Sequence, residues 1–551
     1  MSTIPRRLER VAATPPEAPP LGLLGYFTAT DHKKIGVLTV TTSLILFFVY
    51  GGMAITMRVQ LAQPNQALVP ANMYDQLFTV HGSGMIFTVI TPIALGLGVY
   101  MVPLQIGAPG IAAPRTVLLG YWLNVCGAIA LLSGFFTGNG AAQDGWYSYT
   151  PLSSSVYTPG PGQSLWVVAG FLSVTGMMCM AVPMLWTVLR MRAPGVTPLR
   201  LPVFCWSEIV SCLMVVAAFP SLLAAVGLVA YGRTNPAIFS NDIWDIAYQQ
   251  LFWFYGHPVV YVMFFPFAGV VVESLATFAG RRYNSYKPTV IALLMFAALS
   301  MSVYGHHMFT TGQIANDYYS LTSICLIIPA GIEYFGYLGT IIGGRIRWTT
   351  SFLFSLGFVV QFLIGGLTGV MLGTTVLDYD FHGTYFVVGH FHYTLFGGSV
   401  FGLMAGIYLW FPKVTGYLLD ERLGKVHFWL MALGTNTAFM PMLILGFTGL
   451  PRRVSTYAPG YGFGTLSAIS TAGAFIIGIA MAVFVVNVIR SLVRKVPAGP
   501  DPWGGHSLEW ATSSPPPRYN FVAVPPVHSY APLLDLRLEA EKEGDKQGRP
   551  A

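Results

Sequence analysis

Uncharged apolar stretches of about 20 residues, the length that crosses a bilayer, recur along this chain about twelve times. They run roughly 35–57, 77–102, 117–137, 164–189, 209–231, 250–272, 288–308, 320–343, 352–375, 385–411, 427–448 and 467–489. That pattern predicts an all-α integral membrane protein of about twelve transmembrane helices. Only 9% of the 551 residues are charged and 54% are hydrophobic, whereas soluble domains carry about a quarter of charged residues. In a shared apolar solvent many helices pack as one body, so length does not count domains here. The expected division is an N-terminal tail (1–21), a transmembrane catalytic domain (22–496) and a C-terminal tail (497–551).

The formal charge of +7 has two readings, nucleic-acid binding and membrane topology. With the N-terminus in the cytoplasm, 25 of the 29 Lys and Arg fall in the tails and cytoplasmic loops. The other side keeps Arg58, Arg233, Arg452 and Arg453. This is the asymmetry of a polytopic protein with both termini inside, so the basic excess is topological and no nucleic-acid partner is expected. The first twenty residues lack the apolar core of a cleaved signal. The segment after about Pro497, with Pro515 to Pro517 and an acidic end, predicts an extended or disordered surface tail. The five cysteines, Cys126, Cys179, Cys205, Cys212 and Cys325, lie in apolar runs without metal-ligand spacing, which predicts small core residues rather than disulfides.

Histidine carries the chemistry. Six of eleven histidines, His81, His257, His306, His307, His390 and His392, lie inside the predicted spans, with His427 on the boundary of another. Single intramembrane histidines are often packing residues, but six in a nearly uncharged interior point to metal or haem, because neutral imidazole is the commonest metal ligand. Structural histidines and a proton-coupled transporter are the competing readings. His390 and His392 are about 200° apart around a helix, so they cannot chelate one ion and predict two separate centres. His306 and His307 need a third ligand from another helix, for which His257 is available; three imidazoles without thiolates suit copper or zinc. Tyr261, four residues after His257 and on the same face, brings a phenol to that site.

Five motifs carry a family resemblance: Tyr74-Asp-Gln-Leu-Phe-Thr-Val-His81, Leu251-Phe-Trp-Phe-Tyr-Gly-His-Pro-Val-Val-Tyr261, His306-His-Met-Phe309, Tyr385-Phe-Val-Val-Gly-His-Phe-His-Tyr393 and Leu450-Pro-Arg-Arg453. Over roughly residues 22 to 525 the chain resembles subunit I of the haem-copper oxidases, in the cytochrome c oxidase branch. The resemblance implies that His81 and His392 are the axial ligands of a low-spin haem and that His390 alone holds a high-spin haem. It implies that His257, His306 and His307 hold copper, that Tyr261 is cross-linked to His257, and that Arg452 and Arg453 pair with haem propionates. Arg58 matches a family arginine near the low-spin haem. The implied cofactors are two haems, of the a and a3 kinds, and one copper, and the implied reaction is reduction of O2 to water. A haem with one protein ligand leaves an iron face open for O2, and a tyrosine beside two metals supplies the fourth electron, with a proton. The implied partners are a subunit II with a dinuclear copper, subunit III and small subunits, with cytochrome c as donor and quinol as the alternative. The implied location is the bacterial plasma membrane. Nitric oxide reductase, of the same fold, fits poorly, since it lacks the tyrosine.

The departures from the family concern protons. The aspartate that usually follows Gly-Ala-Pro is Gly110, nearby asparagines are Val99 and Val117, and the usual glutamate before Val-Tyr is Val259, with no Tyr-Ser pair to replace it. That route is expected to be missing. On the second usual route the lysine is Glu333, with partners replaced by Ala330 and Val272. Glu333 is the expected proton carrier towards Tyr261, with Glu273 as the acid of uptake and Tyr334 and Tyr337 as contributing hydroxyls. At His382-Gly383 the family has His-Asp ligands for magnesium, so Gly383 leaves that ion short of one ligand.

Overall fold

A computed structural model describes residues 22, 25, 27–240 and 242–547; the N-terminal tail lies outside the described residues. Twelve helices are long and apolar enough to cross a membrane: α1 (His32–Gln60), α2 (Ala71–Gln105), α3 (Pro114–Phe136), α4 (Pro161–Arg190), α5 (Val203–Thr234), α6 (Asp242–Ala279), α7 (Tyr286–Thr311), α8 (Asn316–Ile342), α9 (Thr350–Leu372), α10 (Tyr385–Thr415), α11 (Glu421–Phe447) and α12 (Phe463–Arg494). Regular strands are absent among the described residues, where only isolated bridges such as Thr384 with Pro451 occur. Several helices outrun their apolar stretches by a turn or more, because polar residues continue the backbone hydrogen bonding past the hydrocarbon. The Asp31 carboxylate accepts from the Lys33 N–H at 3.0 Å to start α1, and Asp420 accepts from the Arg422 and Leu423 amides to start α11. Pro161 begins α4, a position where its missing N–H costs nothing.

Burial orders the bundle. The most apolar windows of α2, α6 and α10 are 94%, 83% and 72% buried, against 28% for α8 and α12. The three central spans are those that carry His81, His257 and the His390/His392 pair. Two of them depart from α-helical winding beside the histidines: a π-helical stretch, Met85–Ile90, follows His81, and another, Tyr393–Val400, follows His392 directly. Such bulges insert a residue and shift the facing of everything beyond them, and they cluster at functional sites.

The C-terminal segment differs from its expectation. Residues 497–547 are ordered against one end of the bundle and finish in α13 (Pro532–Gln547). Leu508, Trp510 and Leu533 are buried, the Asn520 amide donates to Ala108 O at 2.7 Å, and the Tyr530 ring stacks on Tyr286 at 4.1 Å. Proline-rich composition hid apolar anchors spaced too widely to register as a helix or strand pattern. All five cysteines are free; Cys205 and Cys212 are buried, but Cys126 is exposed on the bundle surface, contrary to a core role for it.

Candidate active site

Three histidines from two spans converge. Near its end α7 tightens into a 3-10 turn, Tyr304–Thr311, which swings His306 and His307 to one side. Opposite them, α6 presents His257. His306 Nε2 lies 3.2 Å from His307 Nε2, which is 3.3 Å from His257 Nδ1, and one ligand nitrogen from each ring falls within 4.8 Å of the others. Three nitrogen lone pairs at such separations repel unless a cation or protons lie among them. The other edges are held: Ser323 Oγ bonds His306 Nδ1 at 2.7 Å, and Trp253 stacks on His307 at 4.0 Å between centroids. His257 Nε2 is buried with no hydrogen-bond partner, and the Tyr261 ring lies 4.8 Å from the His257 ring. An all-imidazole set with fixed outer edges fits copper or zinc. The trio is the only such group among the described residues.

His390 and His392 face different ways. His390 Nδ1 is 3.0 Å from Gly365 O and 3.1 Å from Thr368 Oγ1, both on α9. Gly369 permits this approach, since a Cβ there would stand 2.9 Å from the His390 ring. His390 is near enough to His257, His306 and His307 to influence the charge of all three. His392 instead stacks on Phe439 of α11 at 4.6 Å, ties its Nδ1 to Val388 O at 2.8 Å, and lies within electrostatic reach of His81 and Arg58. His81 Nδ1 bonds Tyr50 O at 2.9 Å. In each of these three rings the Nδ1 edge is occupied by the protein, which orients Nε2 as the nitrogen left for a metal.

The arginines sit at one end of this arrangement. Arg453 lies over the Tyr147 ring at 4.2 Å and Arg452 over the same ring at 5.9 Å; both are half-buried, and neither makes an ion pair among the described residues. Burial lowers both guanidinium pKa values, that of Arg453 to about 10, with Asp75 pushing the other way. Two partly desolvated cations without a paired anion fit an acidic group arriving from outside the chain. Arg58 is buried, donates from Nη2 to Ser467 O at 3.0 Å and leaves its Nε without a partner.

Residues 34–476 match the family described as Cytochrome C and Quinol oxidase polypeptide I. The chain belongs to that family. It is 42% identical over 550 residues to the cytochrome c oxidase subunit 1 of Corynebacterium diphtheriae, covering 97% of each chain. It is 43% identical over 517 residues to the probable cytochrome c oxidase subunit 1-beta of Nocardia farcinica, covering 92% of this chain and 87% of that one. A chain from a cryo-EM structure of a heme-copper terminal oxidase dimer has the same fold, with a TM-score of 0.70 at 18% identity over 84% of both chains. The resemblance read from the motifs is therefore correct: this is a haem-copper oxidase subunit I of the cytochrome c oxidase branch, a multi-pass membrane enzyme subunit of bacterial type whose kind implies haem, copper and further oxidase subunits.

Within this family member, the residues expected to move protons are placed unevenly. Glu333 of α8 is buried and accepts from the Tyr337 hydroxyl at 3.0 Å, while its other oxygen has no partner. The Tyr334 hydroxyl donates to Val359 O rather than towards Glu333. No hydrogen bond among the described residues joins Glu333 to Tyr261. Glu273 lies close to the backbone of Val203 and Phe204, the first residues of α5, where a carboxylate complements the positive end of that helix. His382 Nδ1 bonds Asp378 Oδ2 at 2.9 Å, an i, i+4 pair legible in the sequence but passed over. Two other buried groups were missed, Glu208 of α5 and His427 of α11. Glu208 falls one residue outside the apolar stretch 209–231, although α5 begins at Val203.

Proposed function

We propose that this subunit reduces O2 to water, with His390 holding a high-spin haem, His257, His306 and His307 holding the copper opposite it, and His81 and His392 holding a low-spin haem. The observation that supports this reading is the division on α10: His390 is tied to Gly365 and Thr368 of α9 within electrostatic reach of the three-histidine cluster, while His392, two residues on, stacks on Phe439 of α11 within reach of His81. When bound, two haems of the a and a3 kinds and one copper supply electron transfer and the centre at which O2 is reduced. The chain's own contribution is orientation and protons. The Nδ1 tethers from Tyr50, Val388, Gly365 and Thr368 fix the rings, so little rotational freedom is left to lose when the metals load. Tyr261, ring against ring with His257, can furnish an electron together with its hydroxyl proton. Arg452, Arg453 and Arg58 neutralise propionates bidentately.

Residues 22–496 form the catalytic domain, with both termini on the cytoplasmic side of a bacterial plasma membrane. Electrons come from cytochrome c through a dinuclear copper on subunit II, with subunit III completing the complex. Protons consumed by the chemistry pass by way of Glu333, whose contact with Tyr337 supports a carrier role.

Reduced-minus-oxidised spectra of the purified complex, with O2 consumption and outward proton release during an oxygen pulse, test the reading. Two haem signals with O2 uptake driven by reduced cytochrome c are expected; oxidation of quinol instead would reassign the donor, and absence of haem would overturn the function. Replacing Glu333→Ala is expected to lower O2 reduction while both haem bands persist. Near-normal turnover in that variant would remove Glu333 from the route.

A further inference from the structure

The sequence lacks the acids of one usual proton route, yet the seam between α2 and α5 contains an acid the family motifs do not include. Glu208 is wholly buried, and both of its carboxyl oxygens lack a hydrogen-bond partner. Glycine at position 98 makes the seat for it, since a Cβ there would lie 2.5 Å from the Glu208 carboxyl carbon. An unpartnered carboxyl in an apolar interior is destabilising, and no hydrogen bond among the described residues offsets it.

Polar groups continue from Glu208 in both directions. Towards the end of the bundle that carries the C-terminal segment, Cys205 lies one turn away on α5 and contacts Gln105 Oε1 at 3.3 Å. The Gln105 amide donates to Glu509 Oε1 at 3.0 Å, and the second oxygen of Glu509, itself buried, has no partner. Towards the metal site, Ser211 lies one turn further along α5 and Tyr255 stands on α6 two residues before His257; both are fully buried and both hydroxyls lack a partner. Buried unpartnered polar atoms are rare enough in folded proteins that each requires a reason, and water is their usual one.

We propose that Glu208 is a proton-carrying acid, fed from Glu509 through water, with Gln105 orienting the Glu509 carboxyl, and delivering by way of water beside Ser211 and Tyr255, in the region where the usual acid is Val259. In each transfer the Glu208 carboxyl O–H breaks as its proton passes to water on the metal-site side, and a new O–H forms with a proton that leaves the Glu509 carboxyl and arrives through water, Glu509 being reprotonated from the C-terminal end of the bundle. One proton enters for each that leaves, and no electron moves. The inference rests on the oxidase reading above, which haem spectra and O2 uptake of the unaltered complex test separately.

The test is infrared difference spectroscopy on the intact complex. In unaltered, resting protein a protonated carboxyl band that shifts in D2O and disappears in Glu208→Gln is expected, because a relay must exchange with bulk water. In the same variant turnover should fall about tenfold or more with both haem bands and the copper content unchanged, and Glu208→Asp should recover part of the loss. A Glu208 band that does not exchange, or Glu208→Gln turnover within about twofold of the unaltered complex, overturns the proposal. If Glu208→Gln fails to assemble, the same bands compared between the unaltered complex and Glu208→Asp decide it: a D2O-sensitive carboxyl band displaced in frequency by the shorter side chain supports the relay, and no exchanging band that differs between the two overturns it.

Discussion

His257→Ala removes one of three convergent nitrogens and the only imidazole that Tyr261 touches. Loss of copper from the purified complex, read by metal analysis, is expected, with the low-spin haem spectrum retained because His81 and His392 take their tethers from Tyr50 and Val388. Retention of full copper would mean that His306 and His307 suffice. At this scale the sequence was informative where chemistry is unusual: six histidines in an uncharged interior cannot be hidden by packing. It was uninformative where chemistry is common. Glu273 reads equally as a surface charge or an uptake acid, and only the tertiary structure sets it beside the first residues of α5. Glu208 lies one residue outside the apolar stretch 209–231, where an acid reads as a span boundary.

Among the elements, the C-terminal segment is held by two devices that can be tested apart. Lys413, wholly buried at the end of α10, donates from Nζ to Pro500 O at 2.9 Å, Thr512 O at 2.7 Å and Ser513 O at 3.2 Å. Lys413→Met leaves three carbonyls without their charged donor, a loss of about 3 kcal/mol, and proteolysis within 497–547 should rise accordingly; unchanged resistance would show that apolar anchors suffice. His506 is the second device. Burial, then the nearby Arg537, Arg282 and Arg347, lower its pKa to about 3. An undocked segment takes up that proton near the ordinary imidazole value and the docked one does not. Docking is therefore strongest above that value and weakens as pH falls through it towards about 3. Protection factors over residues 506–533, with exchange rates corrected for their intrinsic pH dependence, should fall as pH is lowered from about 8 to about 5, and a flat profile would show that His506 does not control docking.

For the whole molecule, four spans bring the candidate site together: α2, α6 and α10, the most deeply buried, and α7, whose 3-10 turn brings His306 and His307. Groups able to bind a metal need such shielding from water and neighbours on every side. The two π-helical stretches follow His81 and His392, so irregular backbone sets how the rest of α2 and α10 faces beyond them. Haem and copper removal from the assembled complex should therefore affect the site locally and leave the outer spans folded, which helical circular dichroism of apo and loaded protein can check. A large loss of helix on removal would mean that the cofactors hold the bundle together.

From the sequence alone came the membrane class, the number of spans, the histidines that cluster in the interior and the family. Each follows from a local property: apolar length, charge asymmetry, or the angle between residues on one helix. Tertiary structure alone decided that residues 497–547 pack as part of the body, that Glu273 lies against the start of α5, and that Glu208 lies inside the bundle facing Gly98. Those outcomes depend on which helix lies opposite and at what depth. Such contacts join residues up to several hundred positions apart, and no periodicity along the chain encodes them.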